Sequence, residues 1–322
     1  MKKIYRKNLK GKNVLVVGGA GFIGSHLVDK LLEKKVKKII VIDNLSVGKK
    51  ENLKQIYKKI VFKKVNAETF KVLEKLIKKY KIEYVFNLAT IALPFSFRFP
   101  KKTFDTNVKI ILNLLELLRK KDFISLCHFS TSEIYGTSIY IPMDEKHPTI
   151  PTTTYAAGKL AADKALTSYY KMFNIDAFIV RPFNNYGPRQ LISRNEIGVI
   201  PKTIKRIFNK KPPIIYGNGE QIRDFIFVRD TVNYIINSFT KIAPGEEVNI
   251  CSNNPVKIKT LISLISKLMN NKKKILYKKE RQADVFLHHG DNKKLKKIIK
   301  IKKENFLKNI QDTITFYKDY LK

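Results

Sequence analysis

The chain has 322 residues, of which 44% are hydrophobic, and this length suits one large domain or two modest ones. Its formal net charge of +37 favours anionic partners, but the lysines run from end to end and accompany no recognised nucleic-acid-binding motif. We therefore expect a solvated lysine surface and no specific nucleic-acid partner.

Targeting signals and metal sites are not apparent. No apolar run is long enough to cross a bilayer, and no apolar secretory segment follows the basic residues 1–12. Cys127 and Cys251 stand far apart, without the spacing of metal ligands. These features predict a cytoplasmic protein with reduced thiols, no metal and no membrane partner.

Short apolar runs alternate with amphipathic segments over the first part of the chain. The runs predict strands at 13–17, 38–42, 61–65, 83–88, 125–130 and 177–181. The amphipathic segments predict helices at 25–35, 70–79, 104–120 and 155–173. This alternation predicts an α/β fold of the Rossmann type, with a doubly wound parallel sheet. Beyond residue 181, clustered prolines and glycines suit a smaller C-terminal region that closes over a substrate.

A glycine-rich turn follows the first predicted strand. Gly18, Gly21 and Gly24 have the spacing G-x-x-G-x-x-G, and a predicted helix comes directly after them. Glycine permits the tight turn and allows a pyrophosphate to approach the helix N-terminus, beside Phe22 and Ile23. The strand before the turn and the helix after it indicate a dinucleotide site.

An acidic residue, Asp43, ends the second predicted strand. Its carboxylate can accept hydrogen bonds from the ribose hydroxyls of NAD, and it would repel the extra phosphate of NADP. The sequence therefore predicts NAD as the cofactor. Further contacts with it are predicted just after strands two, three and four, at Asn44, Asn66, Ala67, Leu88 and Ala89.

Two pairs of residues carry candidate chemistry. Tyr155 and Lys159 are four apart in a predicted helix, so the ammonium group can stabilise a phenolate beside it and lower the tyrosine's pKa. Such a tyrosine can act as a base towards a hydroxyl group. Thr131 and Glu133 point the same way if the segment is extended, so a hydroxyl and a carboxylate can meet one substrate.

These motifs, in this order, resemble the extended short-chain dehydrogenase/reductases, the NAD-dependent epimerase/dehydratase family. The resemblance covers nearly the whole chain. It includes further segments at 106–108, 130–136, 181–190, 217–219, 223–225 and 281–285. It adds Asn107 to the predicted cofactor contacts.

The resemblance implies roles for the candidate residues. Tyr155 is expected to be the catalytic base, Lys159 its partner and a ribose ligand, and Thr131 the residue that orients the substrate hydroxyl. The family also implies a homodimer that pairs through the third and fourth predicted helices.

A nucleotide-sugar substrate is likewise implied. Asn184, Arg223 and Arg281 are expected to hold its diphosphate, for which arginine offers a fork of donors, and Arg189 is a further expected contact. We expect the NAD-binding domain at residues 1–183 plus about 224–250. The smaller nucleotide-sugar-binding domain is expected at 184–223 and 251–322.

Glu133 distinguishes chemistries within the family. Epimerases usually carry a small or neutral residue there, whereas glutamate is similar to the 4,6-dehydratases and the UDP-glucuronate decarboxylases. Decarboxylases commonly have arginine directly after the catalytic lysine, where this chain has Leu160. Segments 87–97 and 140–148 are most similar to dehydratases of N-acetylhexosamine nucleotides.

These resemblances imply an NAD-dependent nucleotide-sugar 4,6-dehydratase, with Pro94 and Ser96 as substrate contacts. Ser132 stands where the dTDP-glucose dehydratases have aspartate, so the resemblance does not identify the acid for water departure. A decarboxylase and a 4-epimerase remain alternatives within the family. A non-catalytic Rossmann protein or a nucleic-acid-binding protein is the alternative from another class.

Overall fold

The computed structural model describes residues 4–192, 198–280, 285–302 and 304–322. Strands lie at β1 Asn13–Val17, β2 Lys38–Asp43, β3 Val61–Lys64, β4 Tyr84–Asn87, β5 Ser125–Phe129, β6 Ala177–Pro182, β7 Asn184–Tyr186, β8 Ile214–Tyr216, β9 Ile222–Phe227, β10 Glu247–Ile250, β11 Pro255–Lys257, β12 Leu276–Lys278 and β13 Leu287–His288. Helices lie at α1 Phe22–Glu33, α2 Phe70–Lys79, α3 Leu93–Ser96, α4 Pro100–Arg119, α5 Thr154–Phe173, α6 Val199–Phe208, α7 Val228–Ser238, α8 Ile258–Leu268, α9 Lys293–Ile298 and α10 Phe306–Leu321. Short 3-10 helices cover Lys50–Lys59 and Ser132–Tyr135.

Within the described residues, seven parallel strands form the main sheet in the spatial order β10-β6-β5-β4-β1-β2-β3. The strand order reverses between β1 and β4, so the ends of these strands open a crevice where α/β sheets bind ligands. The predicted α/β fold of the Rossmann type is confirmed.

Helices cover both faces of this sheet. Side chains alternate along β1, so that Val14 and Val16 pack with the buried residues of α1 and α7. Leu15 and Val17 belong to the opposite core, with the buried residues of α2, α4 and α5. Burial on both faces explains why these strands read as continuous apolar runs.

Some helices begin earlier than the sequence predicts. Helix α1 begins at Phe22, directly after its N-cap Gly21, so the glycine turn leads straight into it. Helix α4 begins at Pro100, because proline suits the first position of a helix, where its missing N–H is not needed. None of the helices in the described part of the chain is long and apolar enough to cross a membrane.

A second, smaller sheet contains β7, β9, β11 and β13, and it packs with α6, α8 and α10 around a separate core. Strand β9 belongs to this sheet, although the predicted boundary at 224 gives four of its six residues to the NAD-binding domain. Strand β10 lies in the main sheet beside β6. The division into two binding domains stays a prediction.

The N-terminal segment is anchored by a buried arginine. The Arg6 guanidinium donates to the Asp176 carboxylate and to the backbone carbonyls of Phe239 and Ile242. Its Cζ atom lies 4.3 Å from the centre of the Phe178 ring. Both charged side chains are fully buried, so each depends on the other for compensation.

We expect Arg6→Met to lower the free energy of unfolding by about 3–5 kcal/mol, because Asp176 would keep a buried charge without its cation. Urea denaturation measures this loss. Lys10→Met, at an exposed position of the same segment, is the matched control and should change stability by less than about 0.5 kcal/mol. Equal stabilities for the two variants would contradict the anchoring role.

Candidate active site

The glycine turn after β1 leaves no room for a side chain at Gly18 or Gly24. A Cβ atom on Gly18, whose φ is +80°, would lie 2.7 Å from the backbone nitrogen of Ala89, and one on Gly24 would lie 2.3 Å from the Gly18 carbonyl oxygen. No side chain caps the N-terminus of α1 at Gly21. Its first N–H groups are therefore available to an anionic ligand.

A cavity of about 340 Å³ lies over this turn, at the ends of β1, β2, β4 and β5. The predicted cofactor residues that line it are Gly18, Gly21, Phe22, Ile23, Gly24, Asp43, Asn44, Asn66, Ala67, Leu88, Ala89, Tyr155 and Lys159. Sequence reasoning did not select Val47 and Gly48, which also line the cavity; their closeness to Asp43 in the chain was the available signal.

Asp43 does more than face the cavity. Its Oδ2 atom accepts a hydrogen bond from the Ala20 amide at 3.0 Å, and its Oδ1 atom accepts one from the Leu45 amide at 2.8 Å. Burial raises the pKa of this carboxyl group. Each carboxylate oxygen has a second lone pair, so Asp43 can brace the glycine turn and also accept a ligand hydroxyl.

Asn107, an expected cofactor contact, lies behind the cavity wall. Its side-chain oxygen accepts hydrogen bonds from the Ile91 amide and the Thr90 hydroxyl, both at 2.9 Å. It is absent from the residues that line the cavity, whereas its neighbour Thr106 is among them. Through these hydrogen bonds, Asn107 holds the loop after β4 in place.

The candidate catalytic residues meet where two cavities join. Helix α5 begins at Thr154, so Tyr155 lies in its first turn and Lys159 lies one turn further along the same face. Thr131 caps the 3-10 helix Ser132–Tyr135 by accepting the Glu133 amide at 3.3 Å. Thr131 and Tyr155 line both cavities, and Glu133 lines the second.

Burial dominates the electrostatics of Tyr155. It raises the pKa of the tyrosine to about 12; a hydrogen bond with Thr131 opposes this rise, and the charges of Glu133 and Asp163 add to it. The net shift is upward, against the lowering that the sequence predicts from Lys159, whose ammonium donates to the Phe129 carbonyl. Burial lowers the pKa of Lys159 to about 8, against the opposing charge of Asp163.

Asp163 was missed by sequence reasoning. It follows Lys159 by one helical turn and is fully buried, and its carboxylate accepts the Ser130 hydroxyl at 2.8 Å and the Arg181 Nε at 3.2 Å. A carboxylate at this spacing from a buried lysine was the available signal. The Asp163 carboxylate thus compensates the charge of the buried Lys159 ammonium.

The second cavity, of about 480 Å³, extends from the catalytic residues to the smaller sheet. Pro94, Asn184 and Arg223 line it, as expected of substrate contacts. Lys202 and Arg206 of α6 add two cations that sequence reasoning did not select. Among the described lining residues, Glu133 is the only acidic one.

Two expected substrate contacts lie outside this cavity, and a third cannot be placed. Ser96 is buried and donates to the Leu93 carbonyl at 2.7 Å, so its hydroxyl turns back into its own helix. Arg189 donates to Asp29 of α1 at 2.7 Å. Arg281 lies outside the described residues.

The parallel sheet, the glycine turn, the uncapped helix N-terminus and the carboxylate at the end of β2 fit a dinucleotide. With a tyrosine–lysine pair between this site and a second, cationic cavity, they define a Rossmann-type enzyme of dehydrogenase-like chemistry.

Comparison with known proteins agrees with this class. Residues 14–251 match the model of the NAD dependent epimerase/dehydratase family. The chain is 34% identical over 284 residues to a putative UDP-glucose 4-epimerase of Methanocaldococcus jannaschii. The aligned region covers 87% of this chain and 90% of the relative.

Solved structures are similar over almost the whole chain. The structure of a UDP-glucose 4-epimerase of Thermotoga maritima with UDP-glucose has a TM-score of 0.91 at 30% identity. The match covers 96% of this chain and 100% of the Thermotoga chain. A dTDP-glucose 4,6-dehydratase of Bacillus anthracis in complex with NAD has a TM-score of 0.87 at 30% identity, with coverages of 96% and 97%. The chain belongs to the NAD-dependent epimerase/dehydratase family. It is an NAD-dependent sugar-nucleotide enzyme.

Asp43→Asn removes the negative charge and keeps one acceptor for the bracing amides. We expect it to weaken NAD binding by roughly ten- to a hundred-fold, since a charge-assisted hydrogen bond contributes about 1.5–3 kcal/mol, and to reduce discrimination against NADP. Calorimetric titration with both cofactors measures the two effects. Equal affinity of the unmutated protein for NAD and NADP would contradict the role given to Asp43.

Proposed function

We propose that the protein is a nucleotide-sugar 4,6-dehydratase, a lyase that acts in the cytoplasm. Its substrate would be an NDP-hexose or NDP-N-acetylhexosamine, and its product a 4-keto-6-deoxy sugar still attached to the nucleotide. The observation that carries this proposal is the carboxylate of Glu133 in the second cavity. It lies near enough to Tyr155 for its charge to raise the tyrosine's pKa.

The charges of the second cavity support a nucleotide diphosphate as the bound group. Lys202, Arg206 and Arg223 line it, and they lie on α6 and β9, away from the glycine turn. Arginine forks and a lysine point charge suit phosphate oxygens. We therefore assign the diphosphate to this end, with Asn184 beside it, and the sugar to the end at Tyr155.

The sugar end carries the proton transfers. The chemistry that bound NAD supplies is the reversible uptake of a hydride from the sugar. Tyr155 takes the proton of the 4-hydroxyl group, and Thr131 orients that hydroxyl. Lys159, whose pKa is about 8, is mainly protonated near neutral pH, so its ammonium can hold a ribose hydroxyl and favour the phenolate.

Elimination of water is assigned to Glu133. Once carbon 4 is a ketone, the proton on the adjacent carbon is acidic, and Glu133 removes it. The electron pair forms a double bond to the terminal carbon as hydroxide leaves, and the proton now on Glu133 completes the water. The double bond is then reduced when the hydride returns to the terminal carbon and a solvent-derived proton adds to the adjacent carbon, which gives the 4-keto-6-deoxy sugar. Ser132 is buried and does not line the cavity, which supports a single carboxylate for both transfers.

A 4-epimerase is the second candidate, favoured by the similarity to the archaeal relative. Epimerisation requires oxidation and reduction at one carbon but no base for its neighbour, so it would leave Glu133 without a task. A UDP-glucuronate decarboxylase is the third candidate. Glu133 fits that class as well, but Leu160 stands where decarboxylases commonly have arginine directly after the catalytic lysine.

We propose a homodimer that pairs through α4 and α5. These helices pack against one another on one face of the sheet, and large apolar side chains remain exposed on them. They are Phe104, Leu112, Met172 and Phe173, with exposures of 37%, 37%, 70% and 42%. A second copy of the same surface would bury them and extend the pair into a four-helix arrangement.

Tyr155→Phe and Glu133→Gln separate the two proton transfers. Tyr155→Phe should suppress both cofactor reduction and product formation, because the first proton has no acceptor. Glu133→Gln should retain substrate binding and oxidation but block deuterium incorporation next to the ketone in heavy water. Mass spectrometry measures product formation and deuterium incorporation, and absorbance measures cofactor reduction. Each affected rate should fall by about a hundred- to ten-thousand-fold.

The unmutated protein is the control and should incorporate solvent deuterium in every product molecule. Normal turnover with full incorporation in Glu133→Gln would contradict the role of Glu133 and with it the dehydratase proposal.

Leu112→Glu should convert the dimer to a monomer, because it would bury two carboxylates at the symmetric contact. Light scattering should give twice the 37.4 kDa chain mass for the unmutated protein and one chain mass for the variant. Ile124→Glu, at an exposed apolar position outside both helices, is the control and should stay dimeric. A monomeric unmutated protein would refute the proposed pairing.

A further inference from the structure

A fully buried histidine, His288, lies against the backbone of the Glu133 segment. Its Nε2 atom is 3.1 Å from the Ser132 carbonyl oxygen. A carbonyl oxygen only accepts, so Nε2 carries the proton and donates. Ser132 immediately precedes Glu133, and the hydrogen bond therefore acts one residue away from the proposed base.

The contact with Ser132 is the main polar contact of this ring. Within the described residues, the Nδ1 atom has no hydrogen-bond partner. The ring packs on Phe183, with the ring centres 5.2 Å apart. Burial, with a contribution from the Arg223 charge, lowers the pKa of His288 to about 3, so the ring is neutral at any pH at which the enzyme would be assayed.

The 3-10 helix Ser132–Tyr135 is held at its other end too. The Tyr135 hydroxyl donates to the Asn249 side chain at 2.8 Å and accepts from Arg181 at 2.9 Å. Glu133 thus lies between a fixed carbonyl on one side and a fixed phenol on the other. Removal of either contact would free one end of the helix.

His288 also connects this helix with the nucleotide end of the second cavity. Strand β13 pairs with β9 so that His288 is the register partner of Arg223. Val285, three residues earlier in the chain, lines the cavity. One short strand therefore contacts both the backbone beside Glu133 and the strand that carries a proposed diphosphate ligand.

We propose that His288 is a positioning residue: its hydrogen bond to Ser132 holds the Glu133 carboxylate where it can remove the proton next to the ketone. This inference rests on the dehydratase function proposed above. His288 touches no reacting atom itself, so its loss should slow elimination and leave oxidation of the sugar almost unchanged.

Three variants test the proposal in single turnovers. His288→Leu removes the donor and keeps an apolar side chain against Phe183, whereas His288→Gln can restore an N–H near the Nε2 position. His289→Leu is the matched control, since that neighbouring imidazole is only half-buried and contacts Asn253 at 2.7 Å.

In His288→Leu we expect elimination to slow by about a hundred-fold, as a misplaced catalytic group typically does, while oxidation proceeds. Enzyme-bound reduced cofactor should then accumulate, and deuterium incorporation should lag behind it. His288→Gln should recover most of the elimination rate, and His289→Leu should match the unmutated protein. Equal slowing of oxidation and elimination in His288→Leu, or no rescue by glutamine, would overturn the proposal.

Amide hydrogen exchange provides a readout that does not depend on the reaction. The amides of residues 133–136 should exchange faster in His288→Leu than in the unmutated protein, His288→Gln or His289→Leu. Unchanged exchange in His288→Leu would overturn the positioning role. If the unmutated protein forms no 4-keto-6-deoxy product, the dehydratase proposal has failed, and the exchange data still decide whether His288 positions the helix.

Discussion

A buried ammonium group, that of Lys159, is the constraint around which this active site is arranged. A buried charge without a compensating charge is costly. Here a series of side chains with alternating charge extends from Lys159. Asp163 lies one helical turn on, Arg181 of β6 contacts Asp163, and Glu247 of β10 contacts Arg181. The series joins α5 to two strands of the main sheet, so the position of the catalytic helix and the charge of its lysine are maintained by the same contacts.

The other functional groups follow from the parallel sheet. Because neighbouring strands end at one edge, the glycine turn after β1, Asp43 at the end of β2 and Thr131 beyond β5 come together without long loops. Tyr155 reaches the junction of the two cavities from the first turn of α5. In the proposed function, proton transfer at the sugar takes place on this rigid framework, and the phosphate contacts come from the smaller sheet and α6.

Much of this could be predicted from the sequence, because its signals are local. Continuous apolar runs indicate strands covered on both faces, and the glycine spacing marks a turn too tight for side chains, as the space around Gly18 and Gly24 bears out. Side-chain direction was not predictable in the same way. Ser96 and Asn107 lie in the expected segments, yet their polar atoms bond to nearby backbone groups rather than facing a cavity.

Contacts between residues far apart in the chain could not be predicted from the sequence. The pKa of Tyr155 depends on how deeply the tyrosine is buried. Neither Asp163 nor His288 belongs to a sequence motif from which its contacts with Ser130 or Ser132 could be predicted. The central claim is that this arrangement removes water from a nucleotide sugar. Incubation of the unmutated protein with a panel of nucleotide sugars, followed by mass measurement of the products, tests it most directly. Loss of one water from a substrate is the predicted result; loss of carbon dioxide, or an unchanged mass with inverted stereochemistry, would contradict the account.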